Sequence, residues 1–518
     1  METFLTRHRD EIKGVLSGFD RIRFRGTLRW LATASGLESY LACSRILLKE
    51  FKPWALGLTE QIKQATTKLA ASLERPIRFV TNSRFSKEEI AADIAKADRV
   101  TEGLVCVLTA VEPCRTFFLR RDRERRRIEI RSQSGKCLHQ YFYLRHPELG
   151  QIHVRLQTWL PFTVFVCVNG REWLARQLIH KGISFEQRDN CFVDVADISC
   201  AQRLLSGQLR TDWTRLLDGL LKQVHPAHAS LFGAQSLDYY WSAEQTEWAS
   251  DILFDSRESL AQLYPRLVRH AVTAFECQDV LRFLGRRPHV KLFRTSEIHS
   301  TLKTRSEGVR VKHELNANSV KMYDKQETVL RVETTINDPR DMKSYRRVEG
   351  DPKGPKRWRR LRKGVADLRR RAEVSQKCNE RYVEALAAVD SPASLQETLR
   401  PISQAKTWRG RRVRALQPFQ LQDGRLFEAI GRGEFALNGF RNRDLRPLLS
   451  PKSNLSADEQ RRHSSKISRQ LRLLRAHGII RKIPKTHRYQ LSKKGSLIVA
   501  AVNAAQTASV QRLTQLAV

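Results

Sequence analysis

The sequence predicts an α+β protein. A mainly helical N-terminal region is expected over residues 1–100 and an α+β core, an antiparallel sheet with packed helices, over 101–345. A basic helical connector follows over 346–415, and a C-terminal module of helices with a small hairpin over 416–518. Three observations carry this reading. Apolar residues recur at three- and four-residue spacing in GLESYLACSRILLKEF and TEQIKQATTKLAASLE, the period of a helix with one buried face. GLVCVLTAV, KCLHQYFYLRH, QIHVRLQTWL and FTVFVCV are short apolar or alternating runs bounded by turn signals, as strands are. The charge is uneven: residues 341–518 hold 40 Lys and Arg against 15 Asp and Glu, +25 of the chain's net +38.

Taken in order, DEIKGVLSGF has helical spacing. In GFDRIRFRGTLRWL the arginines Arg21, Arg23 and Arg25 alternate with Ile22 and Phe24, which suits a strand with one basic face. PELG separates two strand runs as a hairpin turn, and Asn169-Gly170 ends another run as a turn. REWLARQLIHKG reads as a helix stopped by Gly182. Residues 200–285 read as helical again. There YYWSAEQTEWASDILF places Trp241, Trp248, Ile252 and Leu253 near one helix face, with Glu247 and Asp251 as an i,i+4 carboxylate pair, which is either an alternative metal-ligand pair or a solvent-facing or Arg-paired surface feature. SVKMYDK and TVLRVETTIN read as strands joined by a turn at Gln326-Glu327. No repeat at a solenoid period is present.

The chain has 518 residues and 93 Lys and Arg against 55 Asp and Glu, an excess that points to a polyanion partner, nucleic acid first. Its nine cysteines form no CxxC pair and no tight Cys/His cluster, so the expectation is a reducing compartment without a disulfide scaffold. The polar N-terminus is no signal peptide, and no window approaches 18 apolar residues. These features predict a soluble cytoplasmic protein associated with the nucleoid and without a membrane partner. Phosphate-loop, GxSxG, HExxH and strand-following GxGxxG patterns are missing, so no nucleotide cofactor is expected.

In the C-terminal module, RLFEAIGRGEF, RNRDLRPLL and SSKISRQLRLLRAHGII read as three helices. The third has a buried stripe of Ile467, Leu471 and Leu474 and stops at Gly478. IRKIPKTHRYQLSKKG supplies two short strands around a basic turn, and SLIVAAVNAAQ a closing helix. Over residues 420–507 this layout resembles the winged helix-turn-helix domains of MarR- and ArsR-type regulators. The resemblance implies that the third helix enters a major groove, presenting Ser464, Ser465, Lys466, Ser468, Arg469, Gln470 and Arg472. Arg481, Lys482, Lys485, His487 and Arg488 would meet the backbone or minor groove. The alternative is a solvated basic helical hairpin used for protein contacts. The connector carries Lys353, Lys356, Arg357, Trp358, Arg359, Arg360, Arg362 and Lys363, continued by Arg369, Arg370 and Arg371. Such a run suits phosphates, and Trp358 suits stacking on an unpaired base. RRDRERRR at 120–127 reads as an exposed loop.

Between residues 319 and 337, YDK followed by LRVE resembles a phrase in rolling-circle replication initiators of small plasmids and filamentous phages. Those proteins nick one DNA strand with a tyrosine and a divalent metal. The resemblance touches Tyr323, Asp324, Lys325, Arg331 and Glu333, and implies Mg2+ or Mn2+ on the carboxylates. With Glu333 hairpinned to Asp324, and His313 and Glu314 just upstream, these four are the candidate metal ligands. Tyr323 and Tyr345 are the candidate nucleophiles, with Lys325 beside the first. The His-apolar-His triplet of such initiators has its nearest counterpart in His153-Val154-Arg155, where the third position is a cation. The same phrase also describes a salt-bridged core hairpin. The expectation is a replication-initiator-like or transposase-like strand-cleaving protein of a mobile element, acting on duplex and single-stranded DNA. A non-catalytic winged-helix regulator and an RNA-binding subunit of a ribonucleoprotein are the two alternatives.

Overall fold

A computed structural model of the chain describes residues 1–81, 86–122, 124, 127–232, 237–286, 297–305, 308–348, 350–351, 353–387, 395–432, 435, 439–449, 456–483 and 486–508. It is a mixed α+β protein of two compact units. The first comprises Met1–Thr273, Val280–Arg287 and Ser296–Ala387, and the second Ala274–Asp279, Pro288–Thr295 and Ala388–Val518.

The first unit begins α1 (Glu2–Arg7), β1 (Ile12–Leu28), α2 (Ala34–Cys43), α3 (Phe51–Ser72), β2 (Ile77–Phe79), α4 (Lys87–Ala97), β3 (Gly103–Asp122), β4 (Arg127–His146), β5 (Gly150–Gln157), β6 (Val164–Asn169) and α5 (Gly170–His180). Then come β7 (Phe185–Arg188), β8 (Cys191–Val195), α6 (Ile198–Gly207), α7 (Trp213–Val224), α8 (Ala227–Phe232), β9 (Tyr239–Phe254), α9 (Arg257–Thr273) and α10 (Cys277–Phe283), of which the first three residues are assigned to the second unit. It closes with β10 (Ile298–Arg305), β11 (Gly308–Leu315), β12 (Asn318–Lys325), β13 (Val329–Ile336), β14 (Lys343–Arg346), β15 (Arg357–Arg360) and α11 (Leu368–Leu386).

Eleven strands form one sheet in the order β10-β11-β12-β13-β9-β1-β6-β5-β4-β3-β2. Pairing is antiparallel except between β2 and β3. The order has a hidden symmetry about the β9–β1 pair. In each half a long strand (β1 or β9) leads through helices into a four-strand meander (β3–β6 or β10–β13) whose last strand returns to pair with it. The two halves therefore share one topology.

Two segments differ from their sequence reading. DEIKGVLSGF and YYWSAEQTEWASDILF were expected as helices and are the central strands β1 and β9. β9, and β1 over Leu16–Asp20, are buried on both faces, and such stretches lose the simple alternation that identifies a strand. Residue 100 is accordingly no boundary between compact units, because β1 lies in the same sheet as β3. The alternation in GFDRIRFRG does mark a strand: Ile22, Phe24 and Leu28 are buried while Arg21 is exposed and Arg23 and Arg25 half-buried. Asn169 caps α5, accepting from the Arg171 and Glu172 amides, where a turn was expected. The turn at Gln326-Glu327 joins β12 to β13 with both residues at positive φ, 57° and 63°.

One sheet face is covered by α2, α3, α7 and the start of α11, which share an apolar core with Phe24, Phe142, Val166 and Trp241. The opposite face is covered in two places. There α5 and α6 pack on Leu16, Leu253 and Val329, while α4 packs on Cys106, Leu108, Tyr141 and Tyr143. The strip between these covers belongs to β5, β6 and β1.

The second unit contains α12 (Leu395–Leu399), β16 (Lys406–Trp408), β17 (Arg411–Val413), α13 (Leu421–Ile430), α14 (Asn442–Leu449), α15 (Ala457–Ala476), β18 (Ile480–Lys482), β19 (Tyr489–Leu491) and α16 (Lys493–Thr507). Ser456 and Glu459 form a capping box at the start of α15, and Gly478 follows its end at φ +73°. Ile467, Leu471 and Leu474 are buried with Leu426, Phe427, Leu445 and Ile498. Among the described residues no helix is long and apolar enough to cross a membrane.

Candidate metal centre

Near the middle of the sheet, β1 and β9 pair with a one-residue irregularity: Phe19 opposes Trp248 and Arg21 opposes Glu247, which leaves Asp20 as the extra residue of a β-bulge. A bulge re-aims a side chain. It turns Asp20 toward the face carrying Glu247 and, on β13, Glu333. One oxygen from each of these three carboxylates lies within 4.8 Å of the others, and all three residues are buried.

Their surroundings differ. Glu333 accepts hydrogen bonds from Lys321 Nζ and from Tyr323 Oη, each at 2.7 Å. Burial opposes its ionisation, but the Lys321 ammonium and these bonds outweigh it and hold the carboxyl down at about 2. Asp20 accepts from Arg331 and from Asn190, both at 2.8 Å. Glu247 accepts from Gln245 at 2.9 Å, while Lys321 stands 3.8 Å and Arg21 4.0 Å away. Burial, with the neighbouring Glu333 charge, raises both Asp20 and Glu247 above their ordinary carboxylate values. Arg331 is itself held by Asp251 at 2.6 and 2.8 Å, and Arg171 reaches the same Asp251 at 2.9 Å.

Four buried carboxylates (Asp20, Glu247, Asp251, Glu333) thus face three enclosed cations, Arg171, Arg331 and Lys321. Three convergent hard oxygens, two of them with raised affinity for a proton, form a donor set suited to Mg2+ or Mn2+. Glu247, the acid with the weakest partners, is the most available ligand.

The expected ligand set is only partly realised. Glu333 belongs to the centre, and Tyr323 touches it. Asp324 alternates to the opposite face, toward Tyr264, and burial raises its carboxyl to about 6. His313 also lies on that opposite face, bonded to Ser300 at 2.7 Å and Tyr382 at 3.1 Å. Glu314 is paired with Lys312 and His299, three strands from Glu247. Adjacent strand residues point to opposite faces, so Asp324 cannot join Glu333. Lys325 is buried at the end of β12, roughly 13 Å along the strand from Lys321. Tyr345 is exposed on β14, its ring 5.6 Å from the cross-strand Trp358. Asp20 escapes sequence reading, since a bulge has no sequence signature here. Glu247, expected with Asp251 as an alternative metal pair on a helix, lies on strand β9 and joins the centre, whereas Asp251 is held by Arg331 and Arg171.

Register about the Arg21–Glu247 pair shows how the two halves diverge. Cys167 takes the place of Glu333, Phe165 that of Arg331, His153 that of Lys321 and Arg155 that of Tyr323. The positions matching Glu333 and Arg331 are thus uncharged in the β3–β6 half, and the one matching Tyr323 is a cation. His153 and Arg155 do share a face, but burial holds His153 down at about 4 and, among the described residues, no carboxylate triad forms around it.

Within the basic connector, Arg357–Arg360 is a strand paired with β14, and the expected helical stretch is α11. Lys353, Lys356, Arg357, Trp358 and Arg360 are exposed, and Arg359 is half-buried. Arg362 lies 3.6 Å from Asp367, and Lys363 3.5 Å from Glu244. Arg369 pairs with Glu373, Arg370 with Asp367, and Arg371 is fully buried, donating to Ala243 and Arg362 carbonyls. On α15, Ser465, Lys466, Ser468, Arg469 and Arg472 are exposed, while Ser464 is bonded to Asn442 and Arg446. Gln470 is buried and cannot address a base edge, contrary to expectation, because it lies on the side of the stripe. Arg481, Lys482 and His487 are exposed and Arg488 donates to the Gly439 carbonyl. Lys485 and part of the 120–127 run lie outside the described residues.

No protein-family model, curated protein or solved structure matches the chain.

Proposed function

We propose that the chain cleaves a nucleic-acid strand with a divalent metal ion, in the manner of replication initiators or transposases of mobile elements. The observation that carries this reading is the convergence of Asp20, Glu247 and Glu333 from three strands, with the Tyr323 hydroxyl 2.7 Å from Glu333. These three carboxylates would hold Mg2+ or Mn2+, which polarises a phosphodiester and offsets charge on its oxygens. Tyr323 is the nucleophile, and its Oη–H already points at an ionised acceptor. As Oη forms its bond to phosphorus, its proton passes to water and the displaced sugar oxygen departs with the electron pair and is protonated by water. Lys321 offsets the charge that develops beside it. Arg171 and Arg331 act as positioning residues that fix Asp20.

In the same reading the second unit is a winged helix. Its α15 enters a major groove through Ser465, Lys466, Arg469 and Arg472, and Arg481 and Lys482 meet the backbone. The exposed cations of β15 add phosphate contacts.

The test is incubation of the full chain with supercoiled and single-stranded DNA in Mg2+ or Mn2+. Nicking is expected, with loss of at least a hundredfold in Tyr323→Phe and in Glu333→Gln. Gel shifts without cleavage, in either metal, would leave a regulator. Retention of an RNA probe at salt that releases DNA would leave the ribonucleoprotein reading.

A further inference from the structure

The strip between the two helical covers carries cations with few partners. Arg21, Arg23 and Arg25 stand on one face of β1, paired in register with Asn169, Cys167 and Phe165 of β6, and Arg155 on β5 pairs with Phe165. Three guanidinium groups crowd the half-buried Phe165 ring: Arg155 at 4.3 Å, Arg23 at 4.8 Å and Arg25 at 5.9 Å. Arg155 has Glu112 at 3.4 Å. Among the described residues neither Arg23 nor Arg25 has a carboxylate at ion-pair distance, and Nε of Arg25 and of Arg155 is buried without a hydrogen-bond partner. Burial, and next the Arg155 charge, lower the Arg23 value. Like charges gathered this closely disfavour the folded chain unless an anion lies among them. The strip continues past Arg25. Thr27 pairs with Tyr240, whose ring is 42% exposed and lies 3.9 Å under the Arg29 guanidinium. Its other end is Arg21, beside Glu247 of the acid centre.

We propose that this strip binds the backbone of an unpaired nucleic-acid strand and leads it to the acid centre. Alternate residues on β1 place Arg21, Arg23 and Arg25 about 6.7 Å apart. An unstacked strand spaces its phosphates at up to roughly twice the 3.4 Å stacked rise. Phe165 and Tyr240 offer ring faces of the kind on which bases stack whatever their sequence. Three strands are about 10 Å across, with helices on either side, narrower than the roughly 12 Å of a major groove alone. That width selects a single strand over a duplex. The strand's destination rests on the strand-cleaving reading, but its binding does not.

The experiment measures binding of the full chain to labelled single-stranded DNA, single-stranded RNA and hairpin duplex across a KCl series, with EDTA to prevent cleavage. In the double variant Arg23→Gln/Arg25→Gln, single-strand affinity is expected to fall at least tenfold. The slope of log K against log salt should shrink by roughly 1.4, two single-strand phosphates at about 0.7 each. Duplex affinity should stay within twofold. Arg23→Lys/Arg25→Lys should keep most of the single-strand affinity, and a loss equal to that of the Gln pair would overturn the phosphate assignment. Strands substituted with iodouracil should crosslink to Phe165 or Tyr240 on irradiation. Crosslinks confined to residues 464–490, or unchanged single-strand affinity in the Gln pair, would overturn the inference. A strip that binds in a protein that never nicks would sink the catalytic reading and leave this one standing.

Discussion

Asp20 has no conspicuous sequence context, yet it is the carboxylate that a bulge delivers to the sheet centre. Its neighbours Glu247 and Glu333 show how one cluster holds acids in different states. Glu333 is fixed as a carboxylate by Lys321 and Tyr323, whereas Asp20 and Glu247 hold their protons more tightly than free side chains. Protons and a metal compete for these oxygens, so metal affinity falls as pH falls. Mn2+ titration by calorimetry should show binding at pH 7 that weakens several-fold by pH 5, and Glu247→Gln should weaken it at least tenfold at pH 7. Binding that is insensitive to both changes would place the ion elsewhere.

At the scale of elements, the junction of β6 and α5 locks the site together. Asn169 caps the helix, and Gly170 lies so close to β1 that a Cβ there would meet the Phe19 carbonyl oxygen at 1.9 Å. Only glycine lets α5 start against the strand that carries Asp20, and the following residue, Arg171, then reaches Asp20 and Asp251. Gly170→Ala is expected to destabilise the fold by about 1–3 kcal/mol, the usual range for overpacking. It should also weaken Mn2+ binding, because the Arg171 support moves with the helix. Urea unfolding and the same calorimetric titration check both effects, and a variant as stable as the parent would show that β1 and α5 can separate cheaply. The β12–β13 hairpin works differently: its three-residue turn fixes the register that places Tyr323, Lys321 and Glu333 on one face.

Across the whole molecule, the fold encloses several histidines as neutral rings. Burial pushes His153 and His313 down to about 4 and His225 down to about 3. The unfolded rings take up protons near 6.5, so their contribution to stability is full above that pH. It is lost as pH falls from about 6.5 toward 4, because the unfolded state binds more protons. Asp20, Glu247 and Asp324, with raised values, act in the opposite sense and offset part of the loss. His225 offers the cleanest test, since it is buried with Nε2 unbonded among the described residues. In His225→Phe the decline in unfolding free energy between pH 6.5 and 4 should flatten by up to about 1.4 kcal/mol per pH unit. Equal slopes in parent and variant would mean that His225 titrates normally.

The sequence by itself determined the local choices: helices where apolar residues recur at helical spacing, strands where Arg21 to Arg25 alternate with Ile22 and Phe24, and the 326–327 turn. It also determined the excess of cations, and it singled out Glu333 and Tyr323. The tertiary structure alone decided which residues meet. Strands β1 and β9 hid as helices because residues buried on both faces show no strand period, and Asp20 was invisible because a bulge is set by two strands pairing out of step. Asp324 and Glu333 are separated by sheet faces, while Asp20, Glu247 and Glu333, more than 300 residues apart at the extremes, are joined by strand order. Periodicity is written in neighbouring residues, whereas a site made of three strands depends on pairings between segments distant in the chain.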